Sequence, residues 1–129
     1  MQFQVINEQE FQNFGNNVSC QNFFQTIKML NRYKKNQEEY YLVGVKEDNR
    51  LIAATILIAQ GRKLFGQKTF NTFKGPLLDY QNQKLLTYFM KELAKFVKEH
   101  NGYRLFIDPY IVSQERDTDG KVIANGVNN

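Results

Sequence analysis

The chain has 129 residues, of which 42% are hydrophobic, 23% charged and 14% aromatic. That suits one domain with one core, since domains cluster at roughly 100–150 residues, and leaves no room for two. The excess of 17 Lys+Arg over 13 Asp+Glu, a formal +4, is too mild to diagnose nucleic-acid binding by itself. No apolar run approaches the ~18 residues of a membrane span, and the first residues lack the basic and apolar regions of a secretory signal. A single cysteine, Cys20, excludes an internal disulfide. A single histidine, His100, excludes a His-rich metal site and makes a Ser-His-Asp triad a poor bet. The expectation is a cytoplasmic domain that uses no metal and no cofactor.

Phe3 and Val5 alternate with Gln2 and Gln4, which predicts a short opening strand. Asn7, with Glu10 three residues on, reads as a helix N-cap with its capping-box partner. Phe11 and Phe14 supply the inner face of that helix, and Gly15-Asn16-Asn17 ends it. Ser19 is the next candidate cap. From it a second helix is expected, with Phe23, Phe24, Ile27, Leu30 and Tyr33 inward and Lys28, Arg32 and Lys35 outward.

Tyr40–Val45 and Leu51–Ala59 read as a hairpin around the polar turn Lys46–Arg50. Lys63–Phe65 and Thr69–Phe73 look extended, and Gly75-Pro76 breaks the chain. The strongest helix pattern runs from Asn82 to His100. Leu85, Leu86, Phe89, Met90, Leu93, Phe96 and Val97 mark its apolar face, and Asn101-Gly102 stops it. Tyr103–Ile107 reads as a buried strand closed by Asp108-Pro109. The result is an α/β (mixed α+β) domain over residues 1–112, with a mixed, mostly antiparallel sheet and flanking helices. Residues 113–129 form a polar tail and are expected to be the start of a segment cut from a longer protein.

Two acid-free basic clusters, Lys28–Lys35 and Arg62–Lys74, are candidate phosphate-contacting surfaces, although charge runs of this kind often only solubilise. Asp108 stands at a strand's C-terminal end, where α/β folds place ligands, and Asp-Pro is equally a turn former. Cys20 reads as an inert, buried thiol, and His100 as a group compensating a helix dipole.

Three stretches, Ser19–Thr26, Lys74–Tyr80 and Ile107–Tyr110, together with Asp119-Gly120 ahead of a Gly-Asn tail, resemble stations of the FemABX (Fem and MurM-like) peptidoglycan aminoacyltransferases. The resemblance covers essentially the whole chain but only the start of that family, whose members are several times longer. It implies a GNAT-like acyltransferase half-domain. It also implies transfer of an amino acid from aminoacyl-tRNA to the stem peptide carried on lipid II or UDP-MurNAc-pentapeptide, which builds the interpeptide bridge, with peripheral membrane association as a further possibility. Carried over residue by residue, it makes Asp108 the base that takes the amine proton and Tyr103 a substrate contact, with Tyr110 beside it. It assigns a diphosphate contact to Lys34 or Lys35.

The residues fit that chemistry, because aminolysis of an ester needs an oriented amine and cationic contacts rather than a metal or a nucleophilic thiol. Two rivals stand beside it. An acyl-CoA-dependent GNAT enzyme would hold pyrophosphate on a Gly-rich loop opening a helix. The stretch Gly75–Tyr80 instead has one glycine, a proline and an acid. A non-catalytic RNA-binding module fits the basic clusters but lacks the usual aromatic and Gly-x-x-Gly motifs.

Overall fold

The computed structural model describes residues 1–18, 20–61, 67–109, 114–116 and 122–125. The chain runs β1 (Gln2–Val5), α1 (Glu8–Gly15), a 3-10 turn (Phe23–Gln25), α2 (Ile27–Lys35), β2 (Glu39–Glu47) and β3 (Arg50–Gly61). It continues with β4 (Lys68–Lys74), β5 (Leu77–Leu78), α3 (Gln83–Glu99), β6 (Gly102–Pro109), β7 (Gln114–Arg116) and β8 (Val122–Asn125). The main sheet has the order β1-β2-β3-β4-β6, with β5 paired to β3. Every pairing in it is antiparallel except β4 with β6, which is parallel. A parallel neighbour needs a crossover, and α3 provides it.

Local chemistry accounts for most of these elements. Asn7 and Glu10 form the expected capping box: the Glu10 amide donates to Asn7 Oδ1 at 2.8 Å, and the Asn7 amide donates to Glu10 Oε1 at 3.2 Å. The hairpin is tighter than its polar turn suggested. Asp48 and Asn49 take φ of 53° and 62°, so a two-residue turn joins Glu47 to Arg50. Asp and Asn tolerate this left-handed geometry, and its twist matches that of the strands. At the end of α3 a side chain on Gly102 would place Cβ 2.3 Å from Val97 Cγ1, so only glycine lets the strand leave so close under the helix.

The second helix begins later than the apolar stripe implied. Its cap is Thr26, extended at φ −133°, whose Oγ accepts from the Met29 amide at 3.2 Å. Asn22 caps the preceding 3-10 turn. That turn rotates Phe23 and Phe24 outward, so both are exposed rather than core. Ser19 and Lys63–Phe65 lie outside the described residues. In the tail, Gln114–Arg116 pairs antiparallel with Val122–Asn125, so this stretch carries a strand pair that its polar composition concealed.

Two apolar layers cover the sheet. On one face α3 lays Leu85, Phe89, Leu93 and Val97 onto Val43, Val45, Ala53, Leu57 and Phe70. Leu86 and Phe96, expected on the inner stripe, pack at its margin. On the other face Phe11 of α1 and Leu30 and Tyr33 of α2 cover Leu42, Ala54, Ile56, Ile58 and Leu77. Among the described residues no helix is long and apolar enough to cross a membrane.

Candidate functional site

Strands β4 and β6 run parallel, so their C-terminal ends open at the same edge of the sheet, the position at which such sheets take ligands. Phe73 pairs with Asp108, and Lys74 with Pro109. Lys74 Nζ lies 3.5 Å from Asp108 Oδ2, with side chains 38% and 59% exposed. An ion pair this open contributes at most about 1 kcal/mol to stability. Such a pair opens at small cost.

Lys74 is held in an unusual backbone state, with φ at 55°. For a residue with a side chain this costs about 1–2 kcal/mol, and such strain persists only where neighbours enforce it. Asn22 is one of them: its Nδ2 donates to the Lys74 carbonyl at 2.8 Å. The next peptide bond, Gly75–Pro76, is cis.

Beside the same strand end, an open groove of about 420 Å³ runs between α2 and the sheet. The exposed rings of Phe23, Phe24 and Phe73 line it together with Arg32. The groove thus combines aromatic faces with one cation, Arg32, and one acid, Glu38. Strand β6, expected to be buried, instead exposes Tyr103, Phe106 and Ile107, and its Arg104 guanidinium sits 5.9 Å from the Phe106 ring.

The remaining expected site residues are dispersed. Tyr103 stands at the start of β6, five residues from Asp108, or roughly 16 Å along the strand at about 3.3 Å per residue, and its neighbour Arg104 lies 5.7 Å from its ring. Lys34 is paired with Glu8 and lies 6.0 Å from the Tyr40 ring. The hydrogen bond from the Lys34 ammonium to Glu8 raises its pKa. Lys35, the last residue of α2, is exposed. Among the described residues no hydrogen bond or ion pair links either lysine to Asp108. Tyr110, Arg62, Lys63 and Asp119-Gly120 lie outside the described residues. The structure therefore brings Lys74 and Asp108 together, and among the described residues it shows no ion pair from Lys34 or Lys35 to that carboxylate. The Lys74 partnership was beyond sequence reasoning because it depends on strand register. The one local signal was a lysine directly ahead of Gly-Pro.

At the opposite end of β4, Tyr41 donates to Glu39 Oε2 at 2.6 Å and Lys68 Nζ contacts the same oxygen at 2.9 Å. Burial, reinforced by that carboxylate, pushes the Tyr41 phenol up to about 12. Burial works against ionisation of Glu39, but the Tyr41 and Lys68 hydrogen bonds outweigh it and hold the carboxyl below its usual range. This end is tied shut, whereas the Lys74–Asp108 end is open.

The start of α3 is poorly suited to an anion. The Leu85 amide donates to Asn82 Oδ1 at 3.1 Å and the Gln81 amide to Asp79 Oδ1 at 3.0 Å. One first-turn amide is thus taken by the cap, and a carboxylate stands just ahead of the helix where an anion would sit. Cys20 is half-buried, with Sγ 3.6 Å from the Leu78 carbonyl, and burial raises its pKa. That fits the inert thiol the sequence suggested. His100 caps α3, with Nδ1 2.7 Å from the Phe96 carbonyl. Among the described residues no group of His, Cys, Asp and Glu is arranged to hold a metal.

Among the described residues the mixed sheet has one parallel pair, bridged by one helix, and this agrees with a GNAT-like acyltransferase fold. Solved structures agree. The ribosomal-protein-alanine N-acetyltransferase of Brucella melitensis biovar Abortus 2308 superposes with a TM-score of 0.60 at 12% identity, over 84% of this chain and 80% of that one. The crystal structure of FemX superposes with a TM-score of 0.71 at 16% identity, over 93% of this chain and 29% of that one. The chain belongs to the FemAB family, whose model matches residues 6–129. It is 33% identical over 128 residues to the aminoacyltransferase FemA of Staphylococcus aureus, covering 99% of this chain and 30% of that protein. The chain thus spans about three-tenths of the length of the curated relatives it matches.

Proposed function

We propose that this chain supplies one wall of the transfer cleft of an aminoacyltransferase in peptidoglycan interpeptide-bridge synthesis. The donor is aminoacyl-tRNA. The acceptor is a side-chain amine of the stem peptide on lipid II or UDP-MurNAc-pentapeptide. The observation that carries this reading is the exposed Lys74–Asp108 pair at the open ends of the two parallel strands.

In the reading, the acceptor ammonium replaces Lys74 against Asp108. The carboxylate orients the amine, takes the first of the two protons the nitrogen must lose and releases it to solvent. The amine nitrogen then forms the amide bond as the ester C–O bond breaks, and its second proton passes by way of the same carboxylate to the departing ribose oxygen. Such a step gains chiefly from placement, because an amine held at attacking distance no longer depends on a bimolecular encounter. Lys74, displaced from the carboxylate, is left beside the cleft as a cation for phosphate or for the developing oxyanion. The aromatic groove beside Phe73 offers faces for substrate, with Arg32 as a further cation. Lys34 and Lys35, exposed at the end of α2, are suited to a screened phosphate contact rather than to chemistry.

The acyl-CoA alternative is disfavoured by the stretch Gly75–Tyr80 leading into α3, which has one glycine and an acid, Asp79, whose carboxylate accepts from the Gln81 amide just ahead of the helix. The test is a transfer assay with charged tRNA and precursor on an enzyme that contains this chain and the remaining length its relatives possess. Asp108→Asn is expected to lower turnover at least ~100-fold, in line with losing a positioned acid–base group. Turnover within twofold of the parent would overturn the reading. Retention on immobilised CoA, with none of the precursor bound, would favour the rival.

A further inference from the structure

Between two stretches of regular pairing, the ladder on one side of β3 opens. Ile58 pairs with Asn71 on β4, and Ala54 pairs with Leu77 on β5. In between, Thr55, Ile56 and Leu57 face the longer stretch Thr72–Pro76. A gap of this kind strands backbone donors and acceptors inside the protein, where each must find a partner.

Gln25 fills the gap. It is 2% exposed, and it closes the 3-10 turn before α2. Its Oε1 accepts from the Ile56 amide at 2.9 Å and from Thr55 Oγ1 at 3.3 Å. Its Nε2 donates to the Phe73 carbonyl at 2.8 Å and lies 3.5 Å from Thr72 Oγ1. The two threonine hydroxyls bond to each other. One side-chain amide thus takes a donor from β3 and serves an acceptor on β4, as a strand residue's own backbone would. Neither a carboxylate nor an apolar side chain can do both. Gly75 closes over it so tightly that an added Cβ would lie 2.8 Å from Nε2 and 2.6 Å from each threonine hydroxyl.

The bulge held in this way is the one that carries Lys74. Gln25 fixes the Phe73 carbonyl on one side, Phe73 pairs with Asp108 on the other, and Asn22 fixes the Lys74 carbonyl. We propose that Gln25 is a positioning residue for the Lys74–Asp108 pair: by replacing the missing ladder bonds it keeps the five-residue bulge open and Lys74 aimed at the carboxylate. Its functional meaning rests on the reading of that pair given above. Without the Gln25 amide, β4 can close toward β3 and Lys74 can leave its left-handed conformation, which moves its ammonium group away from Asp108.

The test uses nitrogen-15 spectra of this 129-residue chain. In the parent, the Gln25 side-chain amide protons should exchange slowly with solvent and show nuclear Overhauser contacts to Phe73 and Thr72. Freely exchanging protons overturn the inference before any variant is made. Gln25→Leu and Gln25→Glu are then compared with Leu93→Ala, which removes a buried side chain of the α3 layer. Both Gln25 variants should shift the Lys74 and Asp108 amide signals, whereas Leu93→Ala leaves them in place. In Gln25→Leu the Ile56 amide should also exchange at least about tenfold faster. Unmoved Lys74 and Asp108 signals in a folded Gln25 variant would show that Gln25 only stabilises, and would leave the reading of the site intact. Full turnover by Asp108→Asn in the transfer assay would remove that reading and leave the placement of Lys74 by Gln25 standing.

Discussion

Strand β3 is held in two different ways along its length. Toward α3 its contacts are dry and non-directional: Ala53, Leu57 and Ala59 meet Phe70, Leu85, Phe89 and Leu93 with no polar side chain among them. At the bulge, Thr55, Thr72 and Gln25 are just as buried, and every interaction there has a donor and an acceptor. Among the described residues no buried side-chain polar atom lacks a partner. Apolar packing sets how much free energy the fold has and tolerates changes of shape. A satisfied polar plug contributes less but specifies one arrangement of the strands it joins. The plug occurs where a lysine must be held in a strained backbone state, and the dry layer lies where only cohesion is needed.

That contrast can be broken by experiment, and the largest effect belongs to the dry layer. Phe89→Ala empties a fully buried ring site and is expected to lower unfolding stability by about 3–5 kcal/mol in urea denaturation, with the Lys74 and Asp108 signals of the folded chain unmoved. If those signals moved as much as in the Gln25 variants, the two regions would not be separable. Gly75→Ala is the counterpart at the plug. Its methyl meets both threonine hydroxyls, so a loss of about 1–3 kcal/mol is expected, this time with local shifts at Lys74. A variant as stable as the parent would show the bulge to be soft.

The smallest effect belongs to the tied surface end of β4. Because hydrogen bonds hold the Glu39 carboxyl below its usual range, its contribution is present above pH about 4.5 and fades as pH falls through the lower folded value. Glu39→Gln should therefore flatten part of the acid limb of a stability–pH curve while changing neutral-pH stability little. An unaltered acid limb would mean that Tyr41 and Lys68 do not select the charged form.

Legibility in the sequence followed the range of the interaction. The capping box at Asn7, the helix α3 and the hairpin all rest on residues a few positions apart, and each formed where the pattern put it, with a tighter turn in the hairpin and with Leu86 and Phe96 at the margin of the α3 stripe. Phe23 and Phe24 fit a helical stripe on paper. They point to solvent because Asn22 and Thr26 each bond a nearby amide and split the segment in two. Asp108 stood out by its place at a strand end. Its partner did not, because Lys74 reaches it through the register of two strands separated by the whole of α3. Gln25 was invisible for the same reason: a glutamine beside two phenylalanines says nothing of a gap in a distant ladder.

The single parallel pairing also sets an order of events during synthesis. Strands β1 to β5 and both early helices have emerged before α3 and β6 exist, and each of those strands already has an antiparallel partner among the others. One side of β4 must wait, however, because its parallel neighbour follows a 17-residue helix. Until then the nascent chain shows an unpaired strand edge and the apolar underside of the sheet, the kind of surface to which other chains add. The amphipathic stripe of α3 is made immediately before the strand it delivers. The helix can thus cover that underside and bring β6 alongside β4, and the edge that carries Asp108 is the last part of the main sheet to be built.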